Sequence, residues 1–269
     1  MRSALALALA VLLAAPAAAE EVTVFAAARL RTALDDLAVQ WEARSDDEVT
    51  LSYAGTRRLA RRILDGETAD LFISSSQDWM DELQVEGAID KDSRRDLLGN
   101  KLVLLAHGEP EPTVIGSDLD LAALLGGRPL AMAMVESIPA GVHGKRALTS
   151  LDLWDEVEPS VVEAGDAKDV VEMVARGRAP YGIVYASDAA SARAEGDYVS
   201  VVGAFPAESH APVVYPAALV AGRDGRGAGF LDFLFSEEAR AVFEAQGFTV
   251  LPAEGPAAGR PAPALPTRR

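Results

Sequence analysis

Apolar positions along the chain follow two alternating rhythms. Short runs dense in apolar and β-branched residues have the length and composition of strands: Glu21 to Ala27 (EVTVFAA), Val49 to Tyr53, Ala69 to Ser74 (ADLFIS), Lys101 to Ala106 (KLVLLA), Leu130 to Met134 and Gly182 to Tyr185 (GIVY). Between them apolar residues return at three- and four-residue steps, most clearly at Ala33, Leu34, Leu37, Ala38 and Trp41. An arginine-rich helix is expected from Thr56 to Leu64, and a closing one from Gly229 to Gln246. Strand–helix alternation of this kind predicts an α/β fold with an open, largely parallel sheet, repeated in two lobes. Two later β-rich runs, Tyr198 to Val202 and Val213 to Val220, suggest that the lobes are interleaved. Crossings at Gly99 to Lys101 and Gly203 to Pro206 divide the chain into a discontinuous first lobe, residues 20–99 and 206–251, and a second, residues 100–205.

The ends read differently. A positive start, Met1-Arg2-Ser3, precedes an uncharged apolar run from Ala4 to Ala15, then Pro16 and the small residues Ala17 to Ala19. That is the pattern of a secretory signal, residues 1–19, and it implies export to the periplasm. The run is shorter than the roughly 18–20 apolar residues that cross a bilayer, and no later stretch reaches that length, so membrane insertion is not expected. Residues 252–269, rich in Pro, Ala and Gly and without periodicity, are expected to form a disordered tail.

Composition narrows the chemistry. The absence of cysteine excludes disulfides, Cys-type zinc sites, Fe–S clusters and thiol nucleophiles. A balance of 41 acidic against 25 basic residues, net −16, argues against nucleic acid as a partner. The sequence offers no constellation for a metal and no motif for a cofactor, and no apolar stripe calls for a second copy, so a monomer is expected. What remains is a set of strand-to-helix junctions: Ala27 to Leu30, Gly55 to Arg58, Ser74 to Gln77, Ile138 to Gly141, and Gly165 to Val170. In open α/β sheets ligands bind beyond the carboxyl ends of strands, where helix N-termini present free N–H groups and a positive dipole end. Each junction alone is ordinary helix capping; together they point to a cleft for a small anion.

In order and spacing these junctions resemble those of the periplasmic molybdate-binding proteins that serve ABC transporters. The blocks that carry the resemblance are VFAAARL (Val24 to Leu30), ADLFISSSQDWMD (Ala69 to Asp81), LLGNKLVLLA (Leu97 to Ala106), ESIPAGVHGKRAL (Glu136 to Leu148), GIVYASDA (Gly182 to Ala189), FPAESH (Phe205 to His210) and GFTV (Gly247 to Val250). The resemblance implies the type II periplasmic-binding-protein fold: two α/β lobes, a two-strand hinge and a ligand cleft between them. That family holds its oxyanion with neutral donors. Transferred position by position, the first serine falls on Arg29 and the second on Thr56, which keeps a hydroxyl. Ser75 follows the third strand, the amide donors fall on Ala140 and Val170, and the tyrosine falls on Tyr185.

Arg29 is the departure. A guanidinium is larger than a hydroxyl and matches a carboxylate with two parallel hydrogen bonds. With Arg57 beside the second corner, it leads to the expectation of a polycarboxylate ligand. Among proteins that resemble this family, the periplasmic aconitate isomerase handles such a substrate, moving a proton by a cofactor-free 1,3-allylic shift between trans- and cis-aconitate. On that reading His143 and Tyr185 carry the proton, with Glu136 as a third candidate, and His210 is structural. The alternative is a solute-binding protein for molybdate, tungstate or another oxyanion, with an ABC permease as its partner.

Overall fold

A computed structural model describes residues 21–252. The expected signal segment, and all of the expected tail beyond Pro252, lie outside the described residues. In chain order the first lobe contributes strands β1 (Glu21–Ala27), β2 (Glu48–Ala54), β3 (Leu71–Ile73) and β4 (Arg95–Asn100). The second contributes β5 (Leu102–His107), β6 (Leu130–Ala133), β7 (Val161–Ala164), β8 (Tyr181–Tyr185) and β9 (Val199–Ala204). The chain then returns through β10 (Val213–Leu219), and the last strand of the described residues is β11 (Thr249–Val250).

Two sheets result. One is six-stranded, in the order β11-β4-β10-β3-β1-β2; the other is five-stranded, β7-β6-β8-β5-β9. Each has a parallel core of three strands, β3-β1-β2 and β7-β6-β8, joined through helices as the alternation predicts. The remaining pairings are antiparallel, so both sheets are mixed rather than largely parallel. The cause is the double crossing. The chain leaves one sheet on β4 and enters the other on β5, then leaves on β9 and re-enters on β10, and β5 and β10 run against the parallel strands beside them. Main-chain hydrogen bonds tie the crossing together: Phe205 N–H donates to Leu102 C=O at 2.9 Å and Ala186 N–H to Lys101 C=O at 2.8 Å.

The helix from Thr56 to Leu64 shows why the sequence folds as it does. Leu59, Ala60 and Ile63 recur on one face and are buried with Phe25, Phe72 and Met80, while Arg57, Arg58 and Arg61 face solvent. Arg62 lies over the Phe25 ring, 4.1 Å from its centroid, with its guanidinium paired to Glu67. On the other face of that sheet, Leu30, Leu34 and Leu37 pack with Phe230, Phe233 and Phe243. The second lobe has its own core, centred on Leu104, Met132 and Ile183. The closing helix is two, Ala228–Phe233 and Glu237–Ala245, because Ser236 caps the second by accepting from Ala239 N–H at 3.2 Å. Among the described residues no helix is long and apolar enough to cross a membrane.

Candidate functional site

Register places the first-lobe corners side by side. Ala27 pairs with Ala54 and Ala26 with Ile73, so β1, β2 and β3 end together and release Arg29, Thr56 and Ser75 from one sheet edge. In the second lobe Ala133 pairs with Ala164 and Met132 with Ile183, which brings the ends of β6, β7 and β8 to one edge as well. The two edges face each other, because Arg29 Nη1 of the first forms an ion pair with Asp188 Oδ1 of the second.

Two polar groups line this cleft. The first is a hydroxyl pair: Thr56 Oγ1 and Ser75 Oγ are 2.9 Å apart, and Ser75 N–H donates to Thr56 Oγ1 at 3.0 Å. Thr56 is the first residue of its helix and is buried, so its hydroxyl is held by the fold. The second group runs through the hinge. The Arg29 guanidinium stands 5.7 Å from the Tyr185 ring centroid, Tyr185 Oη is 2.9 Å from His143 Nδ1, and the His143 ring stacks on His210 at 5.5 Å. Asn100 Nδ2, at the end of β4, donates to the buried Ser187 Oγ of the opposite lobe at 2.8 Å.

Burial sets the protonation of this second group. Burial pushes the Tyr185 phenol well above its ordinary value, the neighbouring Tyr215 adds to the rise, and Arg29 opposes it. Tyr215 is raised in the same way by its own burial, against the pull of Arg29. His143 is held below its ordinary value, first by burial and then by His210 and Arg146. At neutral pH the group is therefore a protonated phenol beside an uncharged imidazole. The phenol has a single O–H, which either donates to Nδ1 or, when Nδ1 carries its own proton, points elsewhere into the cleft.

Of the expected site residues, the structure gathers Arg29, Tyr185 and His143 into one group and Thr56 with Ser75 into another. Ala140, buried in the first turn of the helix Pro139–Ser150, has an amide ahead of the first helical bond, Val142 N–H to Ile138 C=O at 2.9 Å.

Other expectations need correction. Val170 N–H is occupied, donating to Asp166 C=O at 3.3 Å, and its side chain is fully buried. Asp166 caps that helix, so the amides ahead of its first helical bond are those of Ala167 and Lys168, three and two residues before Val170. Arg57 is exposed and lines a groove at the start of the second helix with Thr56, Arg58, Arg61 and Asp65, where its guanidinium is not part of the hinge group. Glu136 is exposed and paired with Lys145 Nζ at 2.5 Å, apart from the hinge group. Arg29 does occupy the cleft, yet its charge is already matched by Asp188. The sequence reading missed Asp188, Asn100 and Ser187. Asp188 had a local signal, standing three residues beyond Tyr185 at the start of a helix, where a carboxylate caps.

Comparison with known proteins fits this geometry. A family described as bacterial extracellular solute-binding protein matches residues 22–249. The molybdate-binding protein ModA of Escherichia coli K12 is 40% identical over 236 residues, covering 86% of this chain and 89% of that protein. The protein of the same name from Haemophilus influenzae is 36% identical over 240 residues, covering 87% and 91%. Among solved structures, a substrate-binding domain from Clostridium difficile superposes with a TM-score of 0.77 at 29% identity, covering 87% of this chain and all of that one.

Proposed function

Because this chain belongs to the bacterial extracellular solute-binding protein family, we propose that it is the periplasmic receptor of an ABC importer for a tetrahedral oxyanion of the molybdate and tungstate class. The names of its relatives from Escherichia coli and Haemophilus influenzae support the ligand class. The observation that carries it for this chain is the electrical balance of the cleft. Arg29 is neutralised by Asp188, and what remains are neutral donors: the Thr56 and Ser75 hydroxyls, the first-turn amide of Ala140, and the Tyr185 phenol. Fixed dipoles at helix starts stabilise a dehydrated anion without a counter-charge.

The polycarboxylate reading, and with it the aconitate isomerase, depended on an uncompensated guanidinium at position 29. The ion pair to Asp188 takes that premise away, and no relative compared above carries that activity in its name.

Titration calorimetry with molybdate, tungstate, sulfate and trans-aconitate tests the proposal. Tight, stoichiometric binding of molybdate or tungstate is expected, with trans-aconitate inert. Thr56→Val removes one donor to a charged ligand, a loss of about 1.5–3 kcal/mol. That corresponds to a Kd raised about 10- to 100-fold. Tight trans-aconitate binding by the unmutated protein, with no response to either metal oxyanion, would overturn the proposal.

A further inference from the structure

We infer that Arg29 and Asp188 form a selectivity-setting ion pair, in which Asp188 supplies from the protein the carboxylate that Arg29 would otherwise take from a ligand. The pair spans the cleft: Arg29 follows β1 at the edge of one sheet, and Asp188 stands in the first turn of the helix Ala186–Ala194 at the edge of the other. The two ends are held unequally. Asp188 is fixed: its Oδ2 accepts from Tyr185 N–H at 3.2 Å as part of a capping box, and its side chain is only 12% exposed. The Arg29 side chain is 36% exposed and rests over the Tyr185 ring, within reach of solute.

A carboxylate entering the cleft meets a guanidinium whose charge is already used. To take Arg29 it must displace a carboxylate that cannot follow, leaving Asp188 unpaired and poorly hydrated. Lys168 and Arg176 line a surface pocket with Asp188, but Arg176 is already paired with Glu172, and Tyr185 and Tyr215, on which the Arg29 charge acts, are uncharged. An anion held by hydroxyls and amides does not meet this obstacle. The same arginine that by its chemistry invites carboxylates is thus made neutral by one residue of the opposite lobe.

The inference rests on this cleft being the ligand site, and the test separates the two claims. Asp188→Asn keeps an oxygen to cap Tyr185 N–H and removes the charge. Its Kd for trans-aconitate, used as a tricarboxylate probe, is expected to fall at least tenfold below the value, or the detection limit, found for the unmutated protein. The double variant Arg29→Ser with Asp188→Asn has no guanidinium to release, and is expected to show no gain for trans-aconitate. Far-UV circular dichroism and the unfolding midpoint establish that both variants fold. A gain in Asp188→Asn that disappears in the double variant supports the pair as the selectivity element, even if the unmutated protein binds neither metal oxyanion and the proposed ligand class fails. An unchanged response to trans-aconitate in a folded Asp188→Asn protein, or an equal gain in the double variant, overturns the inference while leaving molybdate binding by the unmutated protein to stand.

Discussion

His143 shows how one side chain ties the cleft to pH. Half-buried between Tyr185 and His210, its imidazole is held below the ordinary 6.5, so the folded state resists a proton that the unfolded chain accepts. The sign follows directly. This contribution to stability is fully present above the unfolded value of about 6.5 and is lost as pH falls through the folded value. Thermal unfolding followed from pH 7.5 to pH 5 is expected to show a falling midpoint. In His143→Gln the fall should be smaller, since no imidazole remains at that position to be charged; an identical pH slope in the variant would refute the assignment. The sequence reading chose His143 for its place after the Pro139-Ala140-Gly141 turn, and the structure does put it beside Tyr185. Its stacking on His210 was invisible, because it depends on how the returning crossover passes over the Pro139–Ser150 helix.

Helix starts fix where donors stand, and Gly141 carries the clearest constraint. A side-chain carbon at that position would lie 2.1 Å from Ala133 C=O oxygen and 2.6 Å from that of Met134, both backbone atoms that cannot yield cheaply. Only glycine lets the Pro139–Ser150 helix approach the end of β6 this closely. Gly141→Ala is expected to lower unfolding free energy by about 1–3 kcal/mol, read by urea titration, and to weaken oxyanion binding as the helix is pushed off the strand. The corners of β1 and β3 are legible because the strands before them are dense in apolar residues, whereas β2 alternates Glu48, Thr50 and Ser52 with Val49, Leu51 and Tyr53. Val170 is expected as a donor from the family resemblance alone, which carries no information on the cap; with Asp166 as the N-cap, the amides ahead of the first helical bond are those of Ala167 and Lys168. The closing helix was read as unbroken because the apolar spacing runs on past the Ser236 cap.

At the scale of the molecule, two α/β lobes with separate cores share a single pair of crossing strands. The lobe arrangement was legible from the alternation of runs. The mixed sheets were not, since strand direction depends on the crossing and not on any local pattern. A ligand that binds only the folded cleft should stabilise the protein by about 2.7 kcal/mol at a hundredfold excess over Kd. Differential scanning calorimetry with and without molybdate checks this, and a midpoint indifferent to molybdate would count against the ligand class. The terminal segment bears on how such a machine can move. Gly247, with φ of 80°, brings its backbone so near to Ala186 that any side-chain carbon would sit 2.5 Å from the Ala186 oxygen. The spine of this clamshell is therefore butted main chain to main chain on the side where the chain finishes. A side chain at position 247 would press on Ala186 and Ser187 at the start of the Ala186–Ala194 helix, so that close approach depends on glycine.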